Sequence, residues 1–289
     1  MTMKKTVMKN KVDLNLKSYA GAGNRFIIAD NRKGGISDYK NTVLEMTSED
    51  SEKFYDGVIF VEDSDIADFH MNYFNRDGTG NALCGNGLRC TMRYLLDNKI
   101  SGKKIILLEA VGKIYKGILN DDGRISVQFY LPAKIRLNFS LKVNFDEWWQ
   151  MLNMSFIDVG SPHIVIFIDD IKSPEVKSLD DIKIIEWGRN VRMHKDLMPE
   201  GANVNFVKIE PGENSVLSIR SYERGVEGET LSCGTGALSA AVAAYFVKKI
   251  KPPFRFNTRS GSVLEVNFKV VEGKIRDFTL TGEAAQLKI

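Results

Sequence analysis

The chain has 289 residues, 43% apolar and 27% charged, with a formal net charge of +3. That length holds one large domain or two of ordinary size, and the composition is that of a globular chain with a real core, not a disordered one. The charge is spread out, without the dense basic stripe that a phosphate backbone requires, so no nucleic-acid partner is expected.

Residues 1–11, MTMKKTVMKNK, are basic and lack an apolar h-region. They do not read as a secretory signal and are expected to fray. No stretch approaches the roughly 20 uninterrupted apolar residues of a membrane span. The richest, Ala237–Val247, is short and runs into lysines. No membrane partner is expected, and the cytoplasm is the expected compartment. Three cysteines, an odd count, suit a reducing compartment better than a disulfide framework.

Val12–Asn31 reads as a strand, a turn at Gly21 and Gly23, and a second, apolar strand beginning after Asn24. Gly57–Glu62 is a short apolar strand, and Phe69–Phe74 alternates. After Gly87 the period changes. Leu88, Met92, Leu95 and Leu96 recur at helical steps, with Asn98 and Gly102 closing the helix. Strands follow at Ile105–Ala110, Lys113–Leu119 and Arg124–Leu131, the last alternating as a half-buried antiparallel strand does. The second half repeats the plan, with strands at Ser155–Val159, His163–Ile168, Asn203–Ile209 and Val216–Glu223. A helix over Ala237–Lys249 is apolar on nearly every face and so is expected to be buried. Strands at Val263–Val270 and Lys274–Leu280 complete it. The best boundary lies near Pro132–Asn138, giving two similar halves.

Two stretches repeat one device: NALCGNGLRC (Asn81–Cys90) and LSCGTGALSA (Leu231–Ala240). Each places Cys-Gly-x-Gly at the mouth of a helix. A helix N-terminus offers unpaired N–H groups and partial positive charge, a ready seat for a carboxylate. The same field favours a thiolate beside it. Two such turns, one per half, predict two thiols facing one carbon next to a carboxylate. The chemistry this suits is two-base proton exchange, in which one thiolate removes a proton from one face and the other thiol delivers one to the opposite face. Inert core cysteines are the plain alternative, and Cys90 reads as one. A zinc site does not fit, because Cys84 and Cys90 are six apart and Cys233 stands alone. A cysteine hydrolase would leave the second turn without purpose.

The segments FNRDGTGNALCGNGLRC and YERGVEGETLSCGTGA, with GAGNRFIIAD, GSPHIV and ANVNFVKI in the expected order, resemble the diaminopimelate epimerase family and the wider group of cofactor-independent amino-acid racemases. The resemblance runs from about Leu14 to the C-terminus. It implies that Cys84 and Cys233 are the catalytic bases. Gly85 and Asn86, and Gly234 and Thr235, would present N–H groups to the reacting carboxylate. Asn24 would line the pocket, and His163 would sit near the thiols. Asn75, Asn203 and Arg224 would hold the distal end of the substrate, and Glu223 would pair with its ammonium or help position the site. Arg and Glu suit those roles chemically. For His163 a structural role fits equally well, and for Glu223–Arg224 a surface charge pair does. His70 and His194 have no special context. Three positions depart from the family pattern and bear on substrate identity more than on reaction type. Ser161 stands where Asn commonly precedes the Pro-His pair, only Asp56-Gly57 remains of a Gly-rich stretch, and Glu283 replaces a usual proline.

The sequence thus predicts an α/β (α+β) protein of two similar domains, 12–133 and 134–278. Each is a mostly antiparallel sheet around a buried central helix, with the strand 279–289 returning to the first. The resemblance implies an epimerase interconverting LL- and meso-diaminopimelate, on the way to lysine and cell-wall precursors, with no cofactor, no metal and a small amino acid as its partner. It also implies a possible homodimer. The alternatives are a cofactor-independent racemase of another amino acid such as histidine and, more remotely, a non-catalytic amino-acid binding protein.

Overall fold

The computed structural model describes residues 16–48, 54–145, 148–212 and 215–287. The expectations for residues 1–11, and for a strand starting at Val12, lie outside the described residues. The chain forms two compact units, one of Met1–Gln128 with Gly282–Ile289 and one of Phe129–Thr281. Among the described residues, no helix is long and apolar enough to cross a membrane.

In the first unit, β1 (Lys17–Gly21) turns through Ala22 and Gly23 into β2 (Asn24–Asp30). Both turn residues have positive φ, 50° and 94°, the backbone that lets a two-residue hairpin follow the strand twist. Helix α1 (Tyr39–Ser48) crosses over to β3 (Gly57–Glu62), which lies parallel to β2. β4 (Phe69–Asn75) is antiparallel to β3. Helix α2 (Gly85–Asp97) then leads to β5 (Ile105–Ala110), parallel to β4. β6 (Lys113–Leu119) and β7 (Ile125–Gln128) follow antiparallel. A terminal strand, Ala285–Gln286, pairs with β1.

Alternation along β2 explains why both sheet faces are covered. Ile27 and Ala29 pack with Val43, Val58 and Phe60 on the α1 side. Ile28 pairs in register with Ile59, whose side chain approaches Gly87 of α2, so the odd-numbered and even-numbered residues serve opposite helices. Helix α2 buries Leu88, Cys90, Met92, Tyr94 and Leu95 against β1, β2, β3, β4, β6, β7 and the terminal strand.

The second unit starts with β8 (Lys134–Asn144) and β9 (Trp149–Asp158), followed by β10 (Pro162–Phe167). The stretch Pro132–Asn138, read from sequence as a boundary, therefore carries the start of a strand. Helix α3 (Ile184–Arg192) crosses to β11 (Asn203–Ile209), parallel to β10. β12 (Val216–Glu223) is antiparallel to β11 and is joined by the short β13 (Gly228–Thr230). Helix α4 (Gly234–Lys248) leads to β14 (Phe254–Asn257), parallel to β12. β15 (Val263–Val271) and β16 (Lys274–Gly282) close the run antiparallel.

The pairing order is the same in both units. From β1 to β7, and from β9 through β10, β11, β12, β14 and β15 to β16, neighbours pair antiparallel, parallel, antiparallel, parallel, antiparallel, antiparallel. Each unit is a mostly antiparallel sheet around one central helix, as the sequence predicts. Helix α4 buries every residue from Gly236 to Ala244, which its all-round apolar sequence requires.

Candidate active site

In the first unit, the chain leaves β4 at Asn75 and reaches α2 through a loop that ends on Cys84. Cys84 is the N-cap of α2, extended at φ −123° and ψ 106°, and its Sγ accepts from the N–H of Gly87 at 3.3 Å. A cysteine thus takes the place that Ser or Asp usually holds, and its sulfur meets the helix's first N–H groups directly. Gly85 and Asn86 follow in the first turn, both buried. Asn86 Nδ2 donates to Asn24 Oδ1 at 2.6 Å, so two residues named from sequence, 62 apart in the chain, are joined.

Asn75 is more internally committed than its expected role suggests. Its Oδ1 accepts from the Tyr73 hydroxyl at 2.8 Å and its Nδ2 donates to Thr79 Oγ1 at 3.0 Å. Asp56, noted only as part of an altered stretch, ties three segments. Its Oδ2 accepts from the N–H of Arg25 at 2.7 Å, its own N–H donates to Arg25 O, and its carbonyl accepts from Arg76 N. Cys90 is fully buried, and a Cβ on Gly21 would lie 3.0 Å from its sulfur. Burial pushes its thiol well up, which makes it a core residue.

In the second unit, β13 and a short loop deliver Cys233 to the N-cap of α4, at φ −122° and ψ 107°. Its Sγ lies 3.6 Å from Thr235 Oγ1. Gly234 and Thr235 open the helix. The sequence predicts thiolate character at both helix ends, and at Cys233 the structure reverses that expectation. Burial pushes this thiol well up and Glu223 adds to the rise, outweighing Thr235 and the N–H of Gly236. Desolvation of a residue only 7% exposed wins over the helix end. Cys233 is therefore a thiol at neutral pH. The carboxylate of Glu223, at the end of β12, accepts from the Thr230 hydroxyl.

His163 is fully buried on β10. Asn205 orients it: Asn205 Oδ1 accepts from Ser221 Oγ at 2.8 Å, so its Nδ2 faces Ile164 O at 3.0 Å and His163 Nδ1 at 3.1 Å. Nδ1 then accepts, and the ring proton belongs on Nε2, which donates to Ser161 Oγ at 2.9 Å. Burial, with Arg224 nearby, drives the His163 pKa down to about 3, so the ring is neutral. Asn203 Nδ2 donates to Pro162 O at 3.2 Å and its Oδ1 accepts from Arg224 N at 2.8 Å. Asn203 thus holds the Arg224 backbone in place. The Arg224 side chain is exposed, and its Nη1 donates to Glu200 O at 3.1 Å.

Each unit therefore carries part of the set named from sequence. Asn24, Asn75, Cys84, Gly85 and Asn86 lie in the first; His163, Asn203, Glu223, Arg224, Cys233, Gly234 and Thr235 lie in the second. Sequence reading missed Asn205, Ser221 and Arg89. Asn205 is two residues from Asn203 on the same strand, and that period-two spacing is the signal that could have found it. An open cavity of about 1050 Å³ lined by Asp180, Ile184, Arg189, Arg220 and Arg259 contains none of the residues named from sequence.

The duplicated sheet-around-helix fold is one that solved structures also display. A phenazine biosynthesis protein of the PhzF family from Bacillus anthracis superposes with TM-score 0.69 at 16% identity, covering 95% of this chain and 97% of that one. A hydroxyproline epimerase from Agrobacterium vitis gives TM-score 0.65 at 16% identity, covering 95% and 91%. These likenesses concern the fold. In sequence, the family model described as diaminopimelate epimerase matches residues 17–131 and 155–286. The diaminopimelate epimerase of Chlorobaculum tepidum is 34% identical over 259 residues, covering 89% of this chain and 93% of that protein. That of Aquifex aeolicus is 31% identical, covering 91% of each. The chain belongs to the diaminopimelate epimerase family, and it is an isomerase.

Proposed function

We propose that the protein interconverts LL- and meso-diaminopimelate by proton exchange at one α-carbon, with Cys84 and Cys233 as the two acid–base groups and without pyridoxal phosphate. The observation that carries this reading is a cysteine at the N-cap of each central helix, with the same backbone conformation in both units. One sulfur acts as thiolate and takes the α-proton, while the other, as thiol, protonates the opposite face. The N–H groups of Gly85 and Asn86, and of Gly234 and Thr235, at the mouths of their helices, would stabilise the charge that a carboxylate gains as the carbanion forms. The Cys233 thiol, held neutral by burial, suits the donor role. Arg224 supplies a fork for a distal carboxylate, and Glu223 a counter-charge for an ammonium. The product feeds lysine and cell-wall precursor synthesis.

The test is a substrate panel in deuterated water without added cofactor, reading both inversion and α-deuteron incorporation. LL-diaminopimelate is expected to invert and to gain one deuteron. Inversion of histidine with none of diaminopimelate would replace the substrate. Binding without exchange of any amino acid would replace the enzyme reading altogether.

A further inference from the structure

We propose that Arg89 is a positioning residue of the first unit: its buried guanidinium holds Asn86 and, through it, Asn24, and supplies the positive charge behind the Cys84 sulfur. This inference rests on the proposed role of Cys84 as a base.

Arg89 lies in the second turn of α2 and is wholly buried. Its side chain folds back toward the start of the helix. Nη1 donates to the carbonyl of Gly85, the residue beside Cys84, at 3.4 Å, and Nη2 donates to Asn86 Oδ1. Nε is buried without a partner. A cation in this place is doubly unfavourable. The helix N-terminus is already positive and repels it, and a buried charge without a counter-ion is costly. Among the described residues, no carboxylate pairs with it. The groups whose charge favours the guanidinium are the sulfurs of Cys90 and Cys84. Cys90 stays a neutral thiol because it is buried. That leaves the Cys84 sulfur, and a carboxylate docked on the same turn, as the anions this cation is placed to meet.

The hydrogen bonds also have a polarity. Arg89 can only donate, so Asn86 must turn its oxygen toward it. The Asn86 amide nitrogen then faces Asn24 Oδ1, and Asn24 is left with its own amide N–H groups to offer. A charge at one end of the chain fixes a donor at the other.

The second unit lacks this arrangement. Five residues after Cys233, where Arg89 stands after Cys84, is Leu238, also fully buried. There the nearby charge is the carboxylate of Glu223, which pushes Cys233 up. The duplicated frame thus carries a cation behind one sulfur and an anion beside the other. The ionisable groups on the elements around α2 are engaged elsewhere or lie toward the surface. Tyr19 of β1 donates to Asp97, Asp30 of β2 holds Arg32, Glu62 of β3 pairs with His70 of β4, and Tyr73 donates to Asn75. Tyr115 is a buried phenol on β6. Lys17, Arg25, Lys113 and Lys116 are further cations on β1, β2 and β6, none of them buried, whereas β7 and the terminal strand carry no ionisable side chain.

The experiment is alkylation of the full chain by iodoacetamide across pH, with the Cys84 and Cys233 peptides quantified by mass spectrometry. It is run on the natural protein and on Arg89→Gln and Arg89→Lys, with folding checked by circular dichroism. In the natural protein the Cys84 midpoint is expected below that of Cys233. Arg89→Gln is expected to raise the Cys84 midpoint by about one pH unit or more, a tenfold loss of thiolate at a given pH, while leaving Cys233 in place. Arg89→Lys, which keeps the charge, is expected to restore most of the shift. A Cys84 midpoint at or above that of Cys233 in the natural protein overturns the proposal even if Arg89→Gln does not fold. So does a folded Arg89→Gln with an unmoved Cys84 midpoint. Failure of the two-cysteine reading shows separately, as epimerisation by Cys84→Ala.

Discussion

Cys84 and Cys233 cap their helices with one backbone conformation, φ −123° and ψ 106° in the first and φ −122° and ψ 107° in the second. Two sulfurs set on the same backbone turn, though beside opposite charges, are each expected to be indispensable. Cys84→Ala and Cys233→Ala are each expected to lose about 10²–10⁴-fold or more in turnover, the usual worth of a general acid or base. Cys90→Ala is expected to remain active, since that sulfur only fills the core. Inversion assays on the three variants decide the matter, and near-normal inversion by either Cys84→Ala or Cys233→Ala would remove the two-base assignment.

Arg224 holds its backbone through Asn203 while its guanidinium reaches the surface. If it grips a distal carboxylate, Arg224→Met should weaken transition-state binding by about 1.5–3 kcal/mol, the worth of a charge-assisted hydrogen bond. The loss should appear in kcat/KM for diaminopimelate and leave thermal stability close to normal. An unchanged kcat/KM would assign Arg224 to the surface alone.

His163 gives a pH signature. Its folded pKa, about 3, lies below the ordinary value of 6.5, so the unfolded chain binds the extra proton first. The stability it contributes is complete above pH 6.5 and is lost as pH falls toward 3. Glu62 acts lower. Burial raises its pKa, but bonds from His70, Tyr39, Asn31 and Asn72 hold it at about 2, so its contribution begins to fade only below about pH 4.5. His70 shifts the other way: its bond to Glu62 raises its pKa, and that stabilisation is full below 6.5 and fades above it. Between pH 6.5 and 5 the slope from His163 should therefore stand out, at up to about 1.4 kcal/mol per pH unit. Urea unfolding at pH 7 and pH 5 should show it in the natural protein and not in His163→Asn.

Two glycines stand where a side chain has no room. A Cβ on Gly57 would fall 2.1 Å from Phe74 O, and one on Gly236 would fall 2.3 Å from Asn205 Oδ1. Gly57→Ala and Gly236→Ala are each expected to cost about 1–3 kcal/mol or more through forced displacement. The second should also disturb the Asn205–His163 contact. Gly102→Ala, with nothing within 4 Å, should be neutral or slightly stabilising. Thermal unfolding of the three variants separates these cases.

Much of this was legible before the fold. Gly57–Glu62, Ile105–Ala110, Lys113–Leu119, Asn203–Ile209 and Val216–Glu223 run as their apolar patterns predict, because each is buried along most of its length or alternates cleanly. Helix α4 was visible because it is apolar all round. β8 was not, although Leu137, Phe139, Leu141 and Val143 alternate with polar residues and form its covered face: the boundary read at Pro132–Asn138 cut across its first half. Helices α1 and α3 lie against the sheet on one side and are short; in α3 the buried stripe of Ile184, Trp187, Gly188 and Val191 is at helical spacing, but it spans only two turns among charged residues. The cysteines were legible because the turn is repeated. Arg89 was not, because an arginine at helical spacing reads as solvated surface; only its burial shows otherwise. The fate of Cys233 was hidden for a related reason. Sequence displays the helix end but not the desolvation that overrides it.

The terminal strand has a bearing on how the protein is made. Residues 285–286 pair with β1, Leu287 N–H reaches Ser18 O, and Ala284 O receives Arg93 from α2. The first unit is thus split in sequence, with the whole second unit inserted between its parts. On a ribosome adding about 5–20 residues per second, β1 keeps an open edge while everything up to residue 284 is synthesised. The second unit, contiguous in sequence, can close before the first is finished. The unit holding Cys84 is then the last to be completed, and a nascent chain stalled short of its final strand would display an unpaired edge.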